Sequence, residues 1–333
     1  MVTFAVVGAL AAAVATHVRT DTIDLQLPAA PGQHVALHCV APEHPSGEVV
    51  LFVHGATFPT RLAFGFEFRP GDSWMHFMAA KGFLACGLDF LGYGGSSRPS
   101  AMLGAADAAP PFERAGPAAD EIALAVDYLR GQRGARAIHL VAHSWGTIPA
   151  ARYAALHGGQ LRSLTLFGPI VPVPSAKAEP PVRDAWFGLT AQQRLEQLRF
   201  KNVLPSGKVL LEPAVEQHWA GKFAVSAPHV QGDEPDDLRI PNGPNADIAA
   251  AMAGQYPYAP DDIKVPVFVV YGNYDVVVDD EGATKFLARF TASPLKWQLR
   301  IDDGTHVMHL ERQRHSLYES VAAFIRAAEA VSP

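Results

Sequence analysis

Apolar residues along this chain gather in short unbroken runs, and between the runs they recur at helical spacing. Val49–Val53, Phe83–Leu88, the run opening at Ala137 and Val265–Tyr271 are of the first kind, and Leu161–Phe167, interrupted by polar residues, reads as a further strand. Such runs are too short for helices and lack polar alternation, so they read as strands buried on both faces, the pattern of a parallel sheet. Trp74–Lys81, Ala118–Arg130, Ile148–Leu156, Asp280–Phe290 and Glu311–Ala328 are of the second kind. Two further strands, Ile23–Leu27 and Val35–Val40, are joined across a Pro28/Pro31/Gly32 turn, and Lys296–Ile301 is a last strand. Strands alternating with helices predict an α/β domain, a mostly parallel central sheet with helices packed on both faces.

The alternation lapses between residues 170 and 261. That stretch is Pro-rich and aromatic, carries helix-like pieces at Thr190–Arg199, Glu212–Lys222 and Asn245–Ala253, and holds no clear buried strand. It is expected to be a helical cap inserted into a core formed by residues 22–169 and 262–333, with residues 1–21 as an N-terminal extension. Phe4–Ala15 of that extension is apolar and Ala13-Val14-Ala15 has the shape of a signal-peptidase site, but no Lys or Arg precedes it. The run is too short to cross a bilayer. A cytoplasmic location and an exported one, secreted or periplasmic, therefore stay equally open.

Composition narrows the classes. With 333 residues the chain can bury a large core, and 49% apolar with 18% charged residues is a globular balance. The formal net charge of −6, without any basic cluster, argues against nucleic acid or an anionic membrane surface as partner. Cys39 and Cys86 sit in apolar strand-like runs and read as buried small hydrophobes, not as a disulfide or a metal pair. The histidines show no metal-ligand spacing. Oligomeric state leaves no mark in the sequence.

The candidate chemistry starts where the Ala137 run breaks. Ala142-His143-Ser144-Trp145-Gly146 is a small-x-Ser-x-small turn between a strand and a helix, the setting of a nucleophile elbow. The turn is sharp, so residues two positions either side of Ser144 must be small. A serine hydroxyl needs a general base to take its proton, and a histidine base needs a carboxylate on its other nitrogen. Asp275 follows the Val265 strand and His306 follows the last one, and both belong at the C-terminal sheet edge where the elbow points. Helix capping is the alternative for Asp275, as for Asp279 and Asp280, and His309 is a rival base at the start of a helix. After the Leu161–Phe167 strand no carboxylate occurs before Glu179, which favours Asp275.

These features resemble the α/β-hydrolase superfamily over residues 22 to 328. The His54-Gly55 turn, the Asp89…Gly92…Gly94…Ser96 loop, the Ser144 elbow, and Gly272…Asp275 with Gly304-Thr305-His306 come in that family's order. The resemblance implies Ser144 as nucleophile, His306 as base and then acid, and Asp275 as orienting carboxylate. It also implies an oxyanion hole from the backbone N–H groups of Ala56 and Trp145, with no metal and no organic cofactor. His54 is expected to brace the oxyanion loop, and Asp89 with its glycines to shape a loop.

The run His143-Ser144-Trp145-Gly146 is similar to the elbow of epoxide hydrolases and haloalkane dehalogenases, with Ser in place of their Asp. A serine there would form an ether, which has no carbonyl for water to attack. Acyl transfer is therefore the expected chemistry: hydrolysis of a small carboxylic ester or lactone. Ser-Trp-Gly is also similar to proline iminopeptidases, which need a cap acid for the substrate's amino terminus; Glu196, Glu212 and Glu216 are candidates. Against that reading, Ala56-Thr57-Phe58 stands where those enzymes carry a glycine-rich loop. An amidase of that kind, an acyltransferase or perhydrolase, and a ligand binder without turnover are the alternatives. Phe58, Phe64, Trp186 and Trp219 are the candidate substrate pocket, with Phe187, Phe223, Tyr256 and Tyr258 as further aromatics; the cap's own core is the competing place for each.

Overall fold

A computed structural model describes residues 18–42, 46–172, 181–230, 233–234 and 237–331. The signal-like Phe4–Ala15 run and Glu179 lie outside the described residues. The first half of the chain forms β1 (Val18–Gln26), β2 (His34–Pro42), β3 (Glu48–Val53), α1 (Trp74–Ala80), β4 (Leu84–Asp89), α2 (Ser100–Leu103), α3 (Ala115–Gly131), β5 (Ala137–His143), α4 (Thr147–His157) and β6 (Ser163–Phe167). An insertion follows, with β7 (Trp186–Thr190), α5 (Ala191–Leu198), α6 (Pro213–Phe223), β8 (Asp237–Pro241) and α7 (Gly243–Met252). The chain then closes with β9 (Val267–Tyr274), α8 (Asp280–Ala288), β10 (Lys296–Thr305) and α9 (Arg314–Val331).

Eight strands make one sheet in the order β1-β2-β4-β3-β5-β6-β9-β10. β2 is antiparallel to β1 and β4, and every other neighbouring pair is parallel. The central strands β4, β3, β5 and β6 are buried along nearly their whole length, the burial that unbroken apolar runs demand. Helices flank the sheet: Trp74 of α1 stacks on Tyr318 of α9 with ring centroids 4.6 Å apart, and α3 packs against α4. Among the described residues no helix is long and apolar enough to cross a membrane.

Two sequence readings need correction. Cys39 of β2 lies directly opposite Cys86 of β4, and the two form a disulfide with Cα atoms 4.1 Å apart. Facing residues of a ladder share one side of the sheet, and that register is invisible across 47 positions of sequence. The insertion holds its three expected helices, but it also contains an antiparallel ribbon, with Trp186 of β7 opposite Pro241 of β8. Only Leu189 of β7 is buried and Gly188 interrupts its apolar residues, so no unbroken run marked it.

Burial in this core has a consequence for stability. Glu121 of α3 is 4% exposed and accepts the Leu91 N–H at 3.0 Å. Desolvation pushes its carboxyl up to about 8. A folded-state value above the ordinary carboxyl range means that its share of stability is full at low pH and is lost as pH rises through about 8. Glu121→Gln keeps the acceptor and removes the charge. The variant should nearly match the parent at pH 5 and exceed it by about 1–3 kcal/mol at pH 9. Denaturation midpoints across that range read the difference, and a gap that does not widen with pH contradicts the assignment.

Candidate active site

The C-terminal edge of the parallel strands carries the site. At the end of β5 the chain turns through Ser144–Gly146 into α4, and Ser144 holds φ at 57°. A non-glycine residue in that left-handed region is strained, typically by about 1–3 kcal/mol, as a tight strand-to-helix elbow requires. Gly146 shows why the flanking residues are small: a Cβ there would collide with the His54 carbonyl oxygen just after neighbouring β3.

Ser144 Oγ lies 2.8 Å from His306 Nε2. On the other side of that ring, Nδ1 is 3.0 and 3.1 Å from the two Asp275 carboxylate oxygens. Asp275 directly follows β9 and also accepts the Val277 N–H at 3.0 Å. Helix capping, its competing role, falls to Asp279, which accepts the Gly282 N–H at the start of α8.

The meeting of His306 and Asp275 depends on an irregularity in the sheet. Ile301 pairs with Gly272 but Thr305 pairs with Tyr274, so β10 advances four residues while β9 advances two. This bulge holds His306 back by two positions so that it faces Asp275; regular pairing would have set Gly304 there. Gly272 permits it, because a Cβ at that position would strike the Gly304 carbonyl.

Further groups hold these three in place. The His143 Nε2–H donates to the His306 carbonyl at 2.7 Å, and the His143 ring stacks on Phe167 at 4.5 Å. His143 adjoins Ser144 in sequence, and the fold also makes it a support for His306. His309 lies 4.7 Å from His143, between centroids, and packs against Phe58 and Phe64. Burial, then the nearby His306 and Arg194, push His309 down to about 3. Neither of its ring nitrogens has a partner among the described residues, so the rival base does not reach Ser144. Glu311 accepts both the Thr305 N–H, at 2.9 Å, and the Thr305 hydroxyl, at 2.6 Å, and burial pushes its carboxyl up to about 7.

The loop after β3 is fixed from behind, as expected of His54. Its Nδ1–H donates to the Gly55 carbonyl at 2.7 Å and its Nε2 accepts the Phe90 N–H at 3.2 Å. The Tyr93 hydroxyl donates to the Ala56 carbonyl at 2.7 Å. A trans peptide sends its C=O and N–H in opposite directions, so the Ala56 N–H points away from His54. Asp89 accepts the Thr60 and Gly95 N–H groups at 2.8 and 3.0 Å, the loop-shaping role read from sequence. Trp145 donates its indole N–H to Asp247 of α7 at 3.1 Å and is fully buried, which leaves only its main chain for the site.

A cavity of about 310 Å³ opens over Ser144 and His306. Gly55, Ala56 and Phe58 line it from the core, and Phe187, Leu189, Arg194, Gln197, Asn245 and Ile248 line it from the insertion. Of the predicted pocket aromatics Phe58 and, among the further ones, Phe187 are placed there. Phe64 is wholly buried and stacks on Phe52 at 4.7 Å. Trp219 is buried edge-on to Phe58, with its N–H on the Leu62 carbonyl at 2.9 Å. Trp186 lies under the Arg239 guanidinium, 3.9 Å from its centroid. Aromatic composition does not separate a lining from a core, and these three went to packing. Arg194 was missed, although one signal existed: it precedes Leu198, the buried residue of α5, by four positions and so shares its inward face. Among the described residues one cluster is spaced to hold a metal, Glu48, His139 and Glu329, at the opposite ends of β3 and β5 from Ser144.

The sequence model of the alpha/beta hydrolase fold family matches residues 48–313. The chain belongs to the alpha/beta hydrolase family. This α/β hydrolase is similar in structure to an esterase, EaEST, from Exiguobacterium antarcticum, with TM-score 0.60 and 19% identity over 91% of this chain and 98% of that one. It is also similar to the thioesterase domain from the curacin biosynthetic pathway, with TM-score 0.58 and 17% identity over 92% and 99%. A bromoperoxidase from Bacillus anthracis gives TM-score 0.59 and 16% identity over 92% and 100%. Likeness at these identities establishes the fold alone. No curated protein sequence matches the chain.

Proposed function

We propose that this α/β hydrolase is a serine hydrolase that cleaves a small carboxylic ester or lactone through an acyl-enzyme. The observation that carries the reading is the continuous hydrogen-bond chain from Ser144 Oγ through His306 to Asp275 beneath one cavity. Asp275 accepts the Nδ1–H, which leaves Nε2 as the lone-pair nitrogen facing the hydroxyl. Ser144 Oγ attacks the substrate carbonyl while Nε2 takes its proton. The main-chain N–H groups of Ala56 and Trp145 receive the developing oxyanion, a contribution of about 10²–10³ in rate per donor. His306 then returns the proton to the leaving alkoxide, and the acyl group stays on Ser144. Water, deprotonated by the same nitrogen, attacks the acyl-enzyme; collapse of the second intermediate frees the acid and restores the serine. The insertion acts as the cap that sets which acyl group enters.

Charge distribution favours this over the iminopeptidase-like reading. The acids such an enzyme would use are engaged elsewhere: Glu196 and Glu216 pair with Arg199, and Glu212 with Arg312. None lines the cavity, whose one charged lining side chain among the described residues is the cation Arg194. A substrate ammonium would be repelled there. The test is stoichiometric treatment with an organophosphonate ester and mapping of the adduct. One adduct on Ser144, with matching loss of p-nitrophenyl ester hydrolysis, is expected; an adduct elsewhere, or turnover surviving full labelling, removes the proposal. Ester product outrunning acid product at millimolar alcohol, where water is in large excess, would reassign the enzyme as an acyltransferase.

A further inference from the structure

We infer that Arg194 is an anion-binding specificity residue, and that the substrate carries a free carboxylate apart from the bond that is cleaved. The inference rests on the hydrolase reading, because it seats that carboxylate in the cavity above Ser144. Arg194 shares this cavity with Ser144, His306, Phe58 and Gln197. Its Nη1 donates to Gln197 Oε1 at 2.7 Å, and its guanidinium carbon lies 5.4 Å from the Phe58 ring centroid. The Nε–H is buried and has no partner among the described residues.

The other arginines of the insertion that are not fully exposed behave differently, while Arg183 stands in solvent. Arg199 is paired with Glu196 and Glu216, and Arg239 with Asp233. Arg194 has no carboxylate partner among the described residues. The nearest acid of the site, Asp275, is committed to His306 and the Val277 N–H. Enclosing a guanidinium without a counter-charge is unfavourable, so a cavity that keeps one beside a reactive serine suits an anion that arrives with the ligand. With Nη1 engaged by Gln197, the edge without a partner among the described residues is Nε–H with Nη2–H. These two donors are parallel and match the two oxygens of a carboxylate. The apolar walls, Phe58, Phe187, Leu189 and Ile248, fit a short hydrocarbon between that group and the ester. A half-ester of a dicarboxylic acid has this chemistry.

The experiment compares two esters of equal length, mono-p-nitrophenyl adipate and p-nitrophenyl hexanoate, which differ by a terminal carboxylate against a methyl group. The ratio of their kcat/KM values is measured for the parent, Arg194→Met and Arg194→Lys. The parent should prefer the adipate half-ester. Arg194→Met should lower the ratio by on the order of 10- to 100-fold, with Arg194→Lys between the two. A folding defect lowers both rates together and leaves the ratio alone. A ratio unmoved by Arg194→Met overturns the inference while leaving the serine mechanism intact. A second readout needs no turnover: adipate should raise the melting temperature of Ser144→Ala and fail to do so in Ser144→Ala with Arg194→Met. Protection that depends on Arg194 in a protein without esterase activity would sink the catalytic reading and keep this one. Protection by inorganic phosphate in place of adipate would overturn the carboxylate assignment.

Discussion

Ser144→Ala should lower kcat for p-nitrophenyl esters by about 10⁶-fold, to the level that an unaided cavity and its main-chain donors supply. The size of the effect follows from covalent chemistry. Without Oγ there is no acyl-enzyme, and His306 loses the hydroxyl that sits 2.8 Å from its Nε2. Water replacing that hydroxyl lacks the fixed position at the end of β5. The variant should fold, since alanine takes the same backbone angle as serine and Ser144 is 8% exposed within an otherwise intact elbow. Rates per mole of variant whose circular dichroism spectrum matches the parent's check this. A loss smaller than tenfold would mean that Ser144 is a bystander.

Asp275→Asn should cost about 10⁴-fold in kcat with little change in fold. The amide oxygen can keep the Val277 N–H that Asp275 Oδ1 now accepts at 3.0 Å. Its NH2 then faces His306 Nδ1, where a carboxylate oxygen stands at 3.1 Å. A donor at that place forces Nδ1 to accept, so the ring proton moves to Nε2 and points at Ser144. The nitrogen that should remove a proton now carries one. Crystallographic geometry close to the parent, together with the lost rate, separates this tautomer effect from misplacement of the histidine. Near-normal turnover would show that the carboxylate neither orients nor stabilises the base.

Much of this was readable in the chain. Unbroken apolar runs announced buried strands because a parallel sheet covered on both faces leaves no polar side to alternate. The small-x-Ser-x-small turn announced the elbow because its geometry excludes larger side chains, as Gly146 against the His54 carbonyl shows. Asp275 and His306 could be nominated because each follows a strand at the same sheet edge. The half-exposed β7–β8 ribbon had no such mark, and helical spacing alone could place α5 but not say what its inward face would meet.

The sequence by itself therefore determined the strand and helix content, the alternation that makes the sheet parallel, and which side chains have the chemistry for acyl transfer. These are local properties, set by a residue's own shape and its near neighbours. The tertiary structure alone decided the Cys39–Cys86 bond, the two-residue slip that brings His306 to Asp275, the burial of Phe64 and Trp219 in packing, and the placing of Arg194 in the cavity of Ser144 without a carboxylate partner among the described residues. Each of these depends on register or on which distant segment arrives opposite, and neither is encoded within a window of adjacent residues.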